Sequence, residues 1–255
     1  QVLSTKWIDK YKLLGTGVEA GELAVKSRLV ARGFEVAQGS EDNGENFAPT
    51  ISEEAVRVAL ALESVIRQGD RKRVVGTCDV SSAFLHADIA GDVTQRTDEV
   101  WVRPPPEAKV PAGHCWRLSK ALYGVRQAPK LWFVHLSRIL KELGYESCAR
   151  EPCLYFKRGE SDRAAGAYSS IIALHVDDLL VMGDEDVVRE DIAQLAQRVV
   201  LKSDIVPQGE DKEWTYLGRV LRQAGGSLSL RMSEAYASKL CSELGLSGKG
   251  SDSIP

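Results

Sequence analysis

Apolar and polar positions in "TKWIDKYKLLGTG" and "GELAVKSRLVARG" read as two strands joined by a Gly-rich turn. This hairpin carries Lys26, Arg28 and Arg32 on its second arm. Further along, Val58, Leu62, Val65 and Ile66 recur at i, i+4, i+7 and i+8, one face of a helix, and Thr50 stands three residues before Glu53 at the spacing of a capping box. "VVGTCDVSSAFLHA" has the β-branched and apolar content of a strand entering a turn, with Asp79 inside it. "VWVRPPPEAKVPAG" predicts a strand broken by prolines, which can only be loop or edge.

The most regular helix follows. Pro129 suits its first turn, Trp132, Leu136, Ile139, Leu140 and Leu143 form one apolar stripe, and Gly144 sits where a C-terminal cap belongs. Residues 170 to 182 predict a hairpin of two buried strands, and Asp184 caps a helix bearing Val188, Ile192, Leu195 and Val199. "WTYLGRVL" and "SLSLRM" predict a strand pair turning at Gly225 and Gly226, and Ser233 opens a last helix with Tyr236, Leu240 and Leu244. This order of elements predicts an α+β sheet with helices packed on one face.

A chain of 255 residues, 44% apolar and 27% charged, has the size of one large domain or two small ones. No apolar run approaches the roughly 20 residues that span a bilayer, and no basic-then-apolar leader opens the chain, so neither membrane insertion nor secretion is expected. Gln1 in place of Met reads as an excerpt of a longer polypeptide or a processed product. The five cysteines, odd in number and without a CxxC pair, suit a reducing compartment, and buried or incidental thiols are expected rather than zinc ligands. The net charge of -3 hides an uneven distribution: residues 35 to 54 carry acids and no bases, whereas every charged residue from Arg117 to Lys141 is basic. Such a basic run reads either as a solvated helix face or as a local field for a phosphate backbone.

In "IIALHVDDLLVMG" two adjacent carboxylates, Asp177 and Asp178, interrupt the most apolar stretch of the chain. In a regular strand they point to opposite faces, so they serve one site only if the chain turns there. A simple turn explains such a pair as well, but these flanks are apolar enough to lay the turn against the body of the protein. Two ionised carboxylates about 4 Å apart repel by about 4 kcal/mol at an effective dielectric near 20. Either one takes a proton or a cation sits between them, and a third carboxylate, for which Asp79 is the candidate, favours the cation.

The ordered blocks "KSRLVARGF", "NFAPT", "CDVSSAFLHADI", "WRLSKALYGVRQAPKLW", "GYESCAREPCLYF", "LHVDDLLVMGD" and "YLGRVL" resemble the reverse transcriptase of copia-type long-terminal-repeat retrotransposons, from about Trp7 to Leu244. The resemblance implies an RNA-directed DNA polymerase with a right-hand fold, an antiparallel palm sheet with helices on one face. Its fingers would take about 1–55 and 92–125, its palm about 56–91 and 126–213, and its primer grip and the start of a partial thumb about 214–255. It further implies an RNA or DNA template, a primer such as a tRNA, deoxynucleoside triphosphates, and RNase H and integrase regions in a parent polyprotein. With no membrane partner, it places the protein in the cytoplasm, including virus-like particles, or in the nucleus.

By the same resemblance, Asp79, Asp177 and Asp178 match the catalytic carboxylates, which with the carbonyl of Val80 hold two Mg²⁺ or Mn²⁺ ions about 3.5 to 4 Å apart. Phe84 matches the aromatic position under the incoming sugar, where a ring leaves no room for a 2′-hydroxyl. Gln127 matches a position that contacts the nucleotide, and Lys26 and Arg28 match the fingers hairpin that grips the triphosphate. His175, Val176, Tyr216, Leu217 and Gly218 match segments that position the primer, with His175 standing where the family usually carries Tyr. The acidic loop "EDNGENFAPT" is also an unusual version of its block, and the chain ends at Pro255 with no room for an RNase H set of carboxylates. Two alternatives stay open, a catalytically silent element-derived fragment that binds nucleic acid and a two-metal phosphodiester hydrolase.

Overall fold

A computed structural model describes residues 2–13, 23–35, 46–66, 71–89, 99–159 and 167–246. The Gly-rich turn expected after Leu13 and the middle of the acidic stretch, 36–45, lie outside these residues. The chain divides into two compact units, Gln1–Thr50 with Val80–Gly144, and Ile51–Asp79 with Tyr145–Pro255.

The first unit contains β1 (Val2–Leu3), a hairpin of β2 (Thr5–Leu13) and β3 (Leu23–Ala31), β5 (Trp101–Val102), β6 (Trp116–Arg117) and the helix α2 (Ala128–Glu142). β1, β5 and β6 form a three-stranded sheet in the order β1-β5-β6. In the hairpin Lys6, Lys10, Lys26 and Arg28 share one face, and Trp7, Tyr11, Val25 and Leu29 share the other, because residues paired across antiparallel strands project to the same side. Helix α2 buries Leu131, Trp132, Leu136, Ile139 and Leu140, and Leu143 just beyond it, as the stripe predicts. Pro129 lies in its first turn, and Gly144 follows at φ 91°, a left-handed cap that glycine adopts without a Cβ clash. β3 is fastened to the loop before α2 through Ala31 N–H to Tyr123 O (2.8 Å) and Gly33 N–H to Gly124 O (3.1 Å). A Cβ on Gly124 would stand 2.0 Å from Ala31 O, so only glycine allows this approach.

The second unit is built on a six-stranded sheet in the order β11-β4-β10-β9-β8-β7, with β4 Arg73–Val80, β7 Glu146–Ser147, β8 Leu154–Lys157, β9 Ser170–His175, β10 Asp178–Asp184 and β11 Leu201–Pro207. The β4/β10, β10/β9, β9/β8 and β8/β7 pairs are antiparallel. Consecutive residues Ile171, Ile172, Ala173 and Leu174 are all buried, as are Leu179 through Met182, so the centre of the sheet is covered on both sides. That explains the unbroken apolar runs around the acidic pair. Helix α1 (Glu53–Ile66) packs on β9, and α3 (Glu185–Ala196) on β10 and β11.

Helix α1 turns a different face inward from the one its apolar residues predict. Val58 and Val65 are exposed, and the buried set is Val56, Ala59, Leu60 and Glu63. The reason is Glu63, whose carboxylate meets the buried guanidinium of Arg73 at 2.6 Å, so a charged residue belongs to the inward stripe. The expected capping box is also replaced. Ser52 Oγ accepts from Ala55 N–H (3.2 Å), while the Glu53 carboxylate takes Arg57 and Arg219. Asp184 occupies the N-cap of α3 as expected, but its side chain makes no capping bond and accepts from Arg71 and Arg73, both at 2.7 Å.

"WTYLGRVL" is two strands rather than one. β12 (Lys212–Tyr216), β13 (Arg219–Ala224) and β14 (Ser227–Met232) form a meander, with turns at Leu217–Gly218 (φ 50° and 72°) and Gly225–Gly226 (φ 54° and 79°). Two consecutive positive φ values match the twist of the strands they join. The last helix, α4 (Glu234–Glu243), begins at Ser233, whose hydroxyl accepts from Tyr236 N–H. Its expected stripe, Tyr236, Leu240 and Leu244, is exposed.

Candidate active site

β4 and β10 run side by side with Asp79 directly opposite Asp178. Residues so paired project to the same face with Cβ atoms about 4.5 to 5.5 Å apart, so two carboxylates stand together at one end of the sheet. β10 also pairs with β9, His175 lying opposite Asp178, and only Val176 and Asp177 connect the two strands. Val176 takes φ 56°, the sign a tight hairpin requires at the first central position and a rare one for a β-branched residue. The turn expected at the acidic pair is therefore present, and it sets Asp177 beside Asp178 without the alternation of a strand.

Asp79 is exposed, while His175, Val176, Asp177 and Asp178 are half-buried. Burial pushes the Asp178 carboxyl up from the ordinary carboxylate value, the charges of Asp177 and Asp79 push it the same way, and His175 opposes them. Both neighbouring carboxylates thus act electrostatically on Asp178. Among the described residues no three His, Cys, Asp or Glu side chains are gathered into a ready cage for a metal ion. The donor set itself fits a hard divalent cation, which takes carboxylate oxygens and offsets the burial and like charge that raise Asp178.

Tyr216 ends β12 with its side chain buried and its hydroxyl donating to Ala173 O at 3.0 Å, two residues before His175. Burial raises the phenol, and the charge of Asp178 raises it further. The Leu217–Gly218 turn follows directly, and Tyr216 ties the end of β12 to the strand that leads into the acidic turn.

The remaining predicted residues belong to the first unit. Val80 is buried at the end of β4. Lys26 is exposed and lies opposite Lys10, while Arg28 is half-buried with its guanidinium over the Tyr123 ring, 5.5 Å from the centroid. Phe84 sits in a short 3-10 helix, Ala83–His86, and its ring packs against the Tyr123 ring, centroids 4.9 Å apart and tilted by 53°. Gln127 is half-buried at the N-cap of α2, four residues after Tyr123, and makes no side-chain capping bond. The structure therefore joins Arg28 and Phe84 through Tyr123, a residue the sequence reading passed over. Its only signal was an aromatic beside Gly124 inside the "ALYGVRQ" block.

Residues 1–255 match the family described as reverse transcriptase (RNA-dependent DNA polymerase), and the chain belongs to it, as the resemblance read from the sequence implied. Among its relatives are two retrovirus-related Pol polyproteins, from transposon TNT 1-94 of Nicotiana tabacum and transposon RE2 of Arabidopsis thaliana. Both are 31% identical, over 72% and 69% of this chain, which spans 12% and 11% of their respective lengths. The apo telomerase of Candida tropicalis aligns over 90% of the chain and 55% of its own at 10% identity and a TM-score of 0.46, too loose a fit to add to the family match.

Proposed function

We propose that this chain is the polymerase portion of an RNA-directed DNA polymerase from a copia-type element, adding deoxynucleotides to a primer 3′-hydroxyl on an RNA or DNA template. The observation that carries the reading is the register that sets Asp79 opposite Asp178 with Asp177 in the adjoining turn, in a chain matched end to end by the reverse transcriptase family. Asp79, Asp177, Asp178 and the Val80 carbonyl would hold two Mg²⁺ or Mn²⁺ ions, which when bound supply activation of the hydroxyl and neutralisation of the triphosphate. Lys26 and Arg28 add fixed positive charge for the phosphates, and the Gln127 amide offers donors to sugar or phosphate oxygens. Phe84 fills the space a 2′-hydroxyl needs. His175, Val176 and the Tyr216–Gly218 segment support the primer end. In this reading the fingers, palm and start of the thumb take the boundaries stated above, a tRNA is a suitable primer, RNase H and integrase regions belong to the parent polyprotein, and the work is done in the cytoplasm, within virus-like particles, or in the nucleus.

Primer extension on an RNA template tests it. Chelator-sensitive synthesis by the wild type, lost in Asp178→Asn with primer–template binding retained, is the expected result. Binding without synthesis in the wild type supports a silent nucleic-acid-binding fragment instead, and cleavage of a labelled duplex in the absence of nucleotides supports a hydrolase.

A further inference from the structure

Tyr123 lies in the loop between β6 and α2, and its ring makes two contacts that the proposed chemistry does not itself assign. The Arg28 guanidinium stands 5.5 Å above it, and the Phe84 ring meets it at 4.9 Å and 53°. A cation over a ring face and a tilted ring pair are both favourable, because the face of the ring is negative and its edge positive. The backbone around Tyr123 is also held. Its carbonyl accepts from Ala31, three residues beyond Arg28, and the neighbouring Gly124 carbonyl accepts from Gly33. Gly33 and Gly124 are packed so closely that a Cβ on either would fall 2.2 or 2.0 Å from a backbone oxygen. Loop and strand therefore move as one, and the ring is not free to leave its two neighbours.

Resting on the reading of Phe84 and Arg28 as nucleotide-contacting residues, we propose that Tyr123 is a positioning residue for the incoming nucleotide, whose ring fixes the plane of Phe84 and the reach of Arg28 and so sets discrimination between deoxyribose and ribose. A gate that works by steric exclusion is only as selective as its ring is immobile, since a ring that tilts away admits the extra hydroxyl. Phe84 is half-buried and sits on a single turn of 3-10 helix, which constrains it weakly by itself. The Tyr123 ring supplies the missing constraint, with the Arg28 guanidinium placed over it from the hairpin.

The test is single-nucleotide incorporation with matched deoxy- and ribonucleoside triphosphates by wild type, Tyr123→Phe, Tyr123→Met, Phe84→Ala and the Tyr123→Met/Phe84→Ala double variant. Tyr123→Met keeps volume and removes the planar face. Its kcat/KM ratio for deoxy- over ribonucleotide is expected to fall roughly three- to tenfold, with KM for the deoxynucleotide raised more than kcat is lowered. Tyr123→Phe, which keeps the ring, is expected to restore the wild-type ratio. In the double variant the ratio is expected to be no worse than in Phe84→Ala alone, because the first change acts through the second residue. A wild-type ratio in Tyr123→Met, or losses that multiply in the double variant, overturn the proposal. Should Tyr123→Met fail to fold, the ratio in Arg28→Ala decides in its place, since removing the guanidinium frees the same ring. A wild type that incorporates no nucleotide at all overturns the polymerase reading, and this inference falls with it.

Discussion

Arg73 and Glu63 meet through two hydrogen bonds, 2.9 and 2.6 Å, with both side chains entirely out of contact with solvent. The same guanidinium donates to Asp184 at 2.7 Å and to the Tyr168 carbonyl at 3.3 Å, so one arginine links α1, β4 and the start of α3. Without Glu63 the buried guanidinium keeps Asp184 and the Tyr168 carbonyl but loses two charge-assisted hydrogen bonds. Glu63→Leu is expected to cost about 1.5 to 3 kcal/mol, read as a lower urea midpoint, and Glu63→Leu combined with Arg73→Met is expected to recover part of that loss because no buried guanidinium is then left short of partners. Asp184 keeps Arg71 in the double variant.

The raised Asp178 carboxyl fixes the sign of a pH effect. Its folded value lies above its unfolded one, so the folded state holds the proton longer. Stability from this group is complete at low pH and is lost as pH climbs from the ordinary carboxylate value of about 3.9 through the raised one. Asp178→Asn is expected to flatten that part of the stability curve. Millimolar Mg²⁺ is expected to raise the wild-type Tm by an amount on the order of a few degrees and to raise that of Asp178→Asn less. Equal shifts in both proteins would show that the ion does not bind at this carboxylate.

Val176 at φ 56° holds a β-branched side chain in the left-handed region. Such a conformation costs about 1 to 3 kcal/mol, so Val176→Gly is expected to raise the urea midpoint, against the usual loss of about 0.5 to 1 kcal/mol when glycine enters a chain. Primer extension by the same variant is expected to fall, because a freer turn holds Asp177 and Asp178 less firmly.

Burial pushes the thiols of Cys78 and Cys153 up to about 12, whereas Cys241 is exposed. The thiolate is the reactive form. Brief iodoacetamide treatment at neutral pH followed by peptide mass spectrometry is expected to find Cys241 labelled and Cys78 and Cys153 labelled only after unfolding. Early labelling of Cys78 would contradict the packing of β4.

Local signals located most of the elements. The α2 stripe, its proline and its terminal glycine are properties of consecutive residues, and the helix stands where they place it. The acidic hairpin was legible for the same reason, since apolar runs of strand length flank a pair that favours a turn. The α1 face was misread because apolar periodicity gives a glutamate no inward weight, and Glu63 is buried only by virtue of Arg73, ten residues away on β4. The fold at Leu217–Gly218 was missed because an apolar residue stands at one of its two turn positions, so the segment read as continuous.

By itself the sequence determined the kinds of groups present and the local elements that carry them: three aspartates, a basic hairpin, a helix opened by Pro129, and blocks in the order of a reverse transcriptase. Spacing along a chain carries no record of which strand lies beside which, because pairing across a sheet depends on contacts between segments far apart. Tertiary structure alone decided that Asp79 stands opposite Asp178, that Glu63 turns inward to Arg73, and that the Tyr123 ring meets both Arg28 and Phe84.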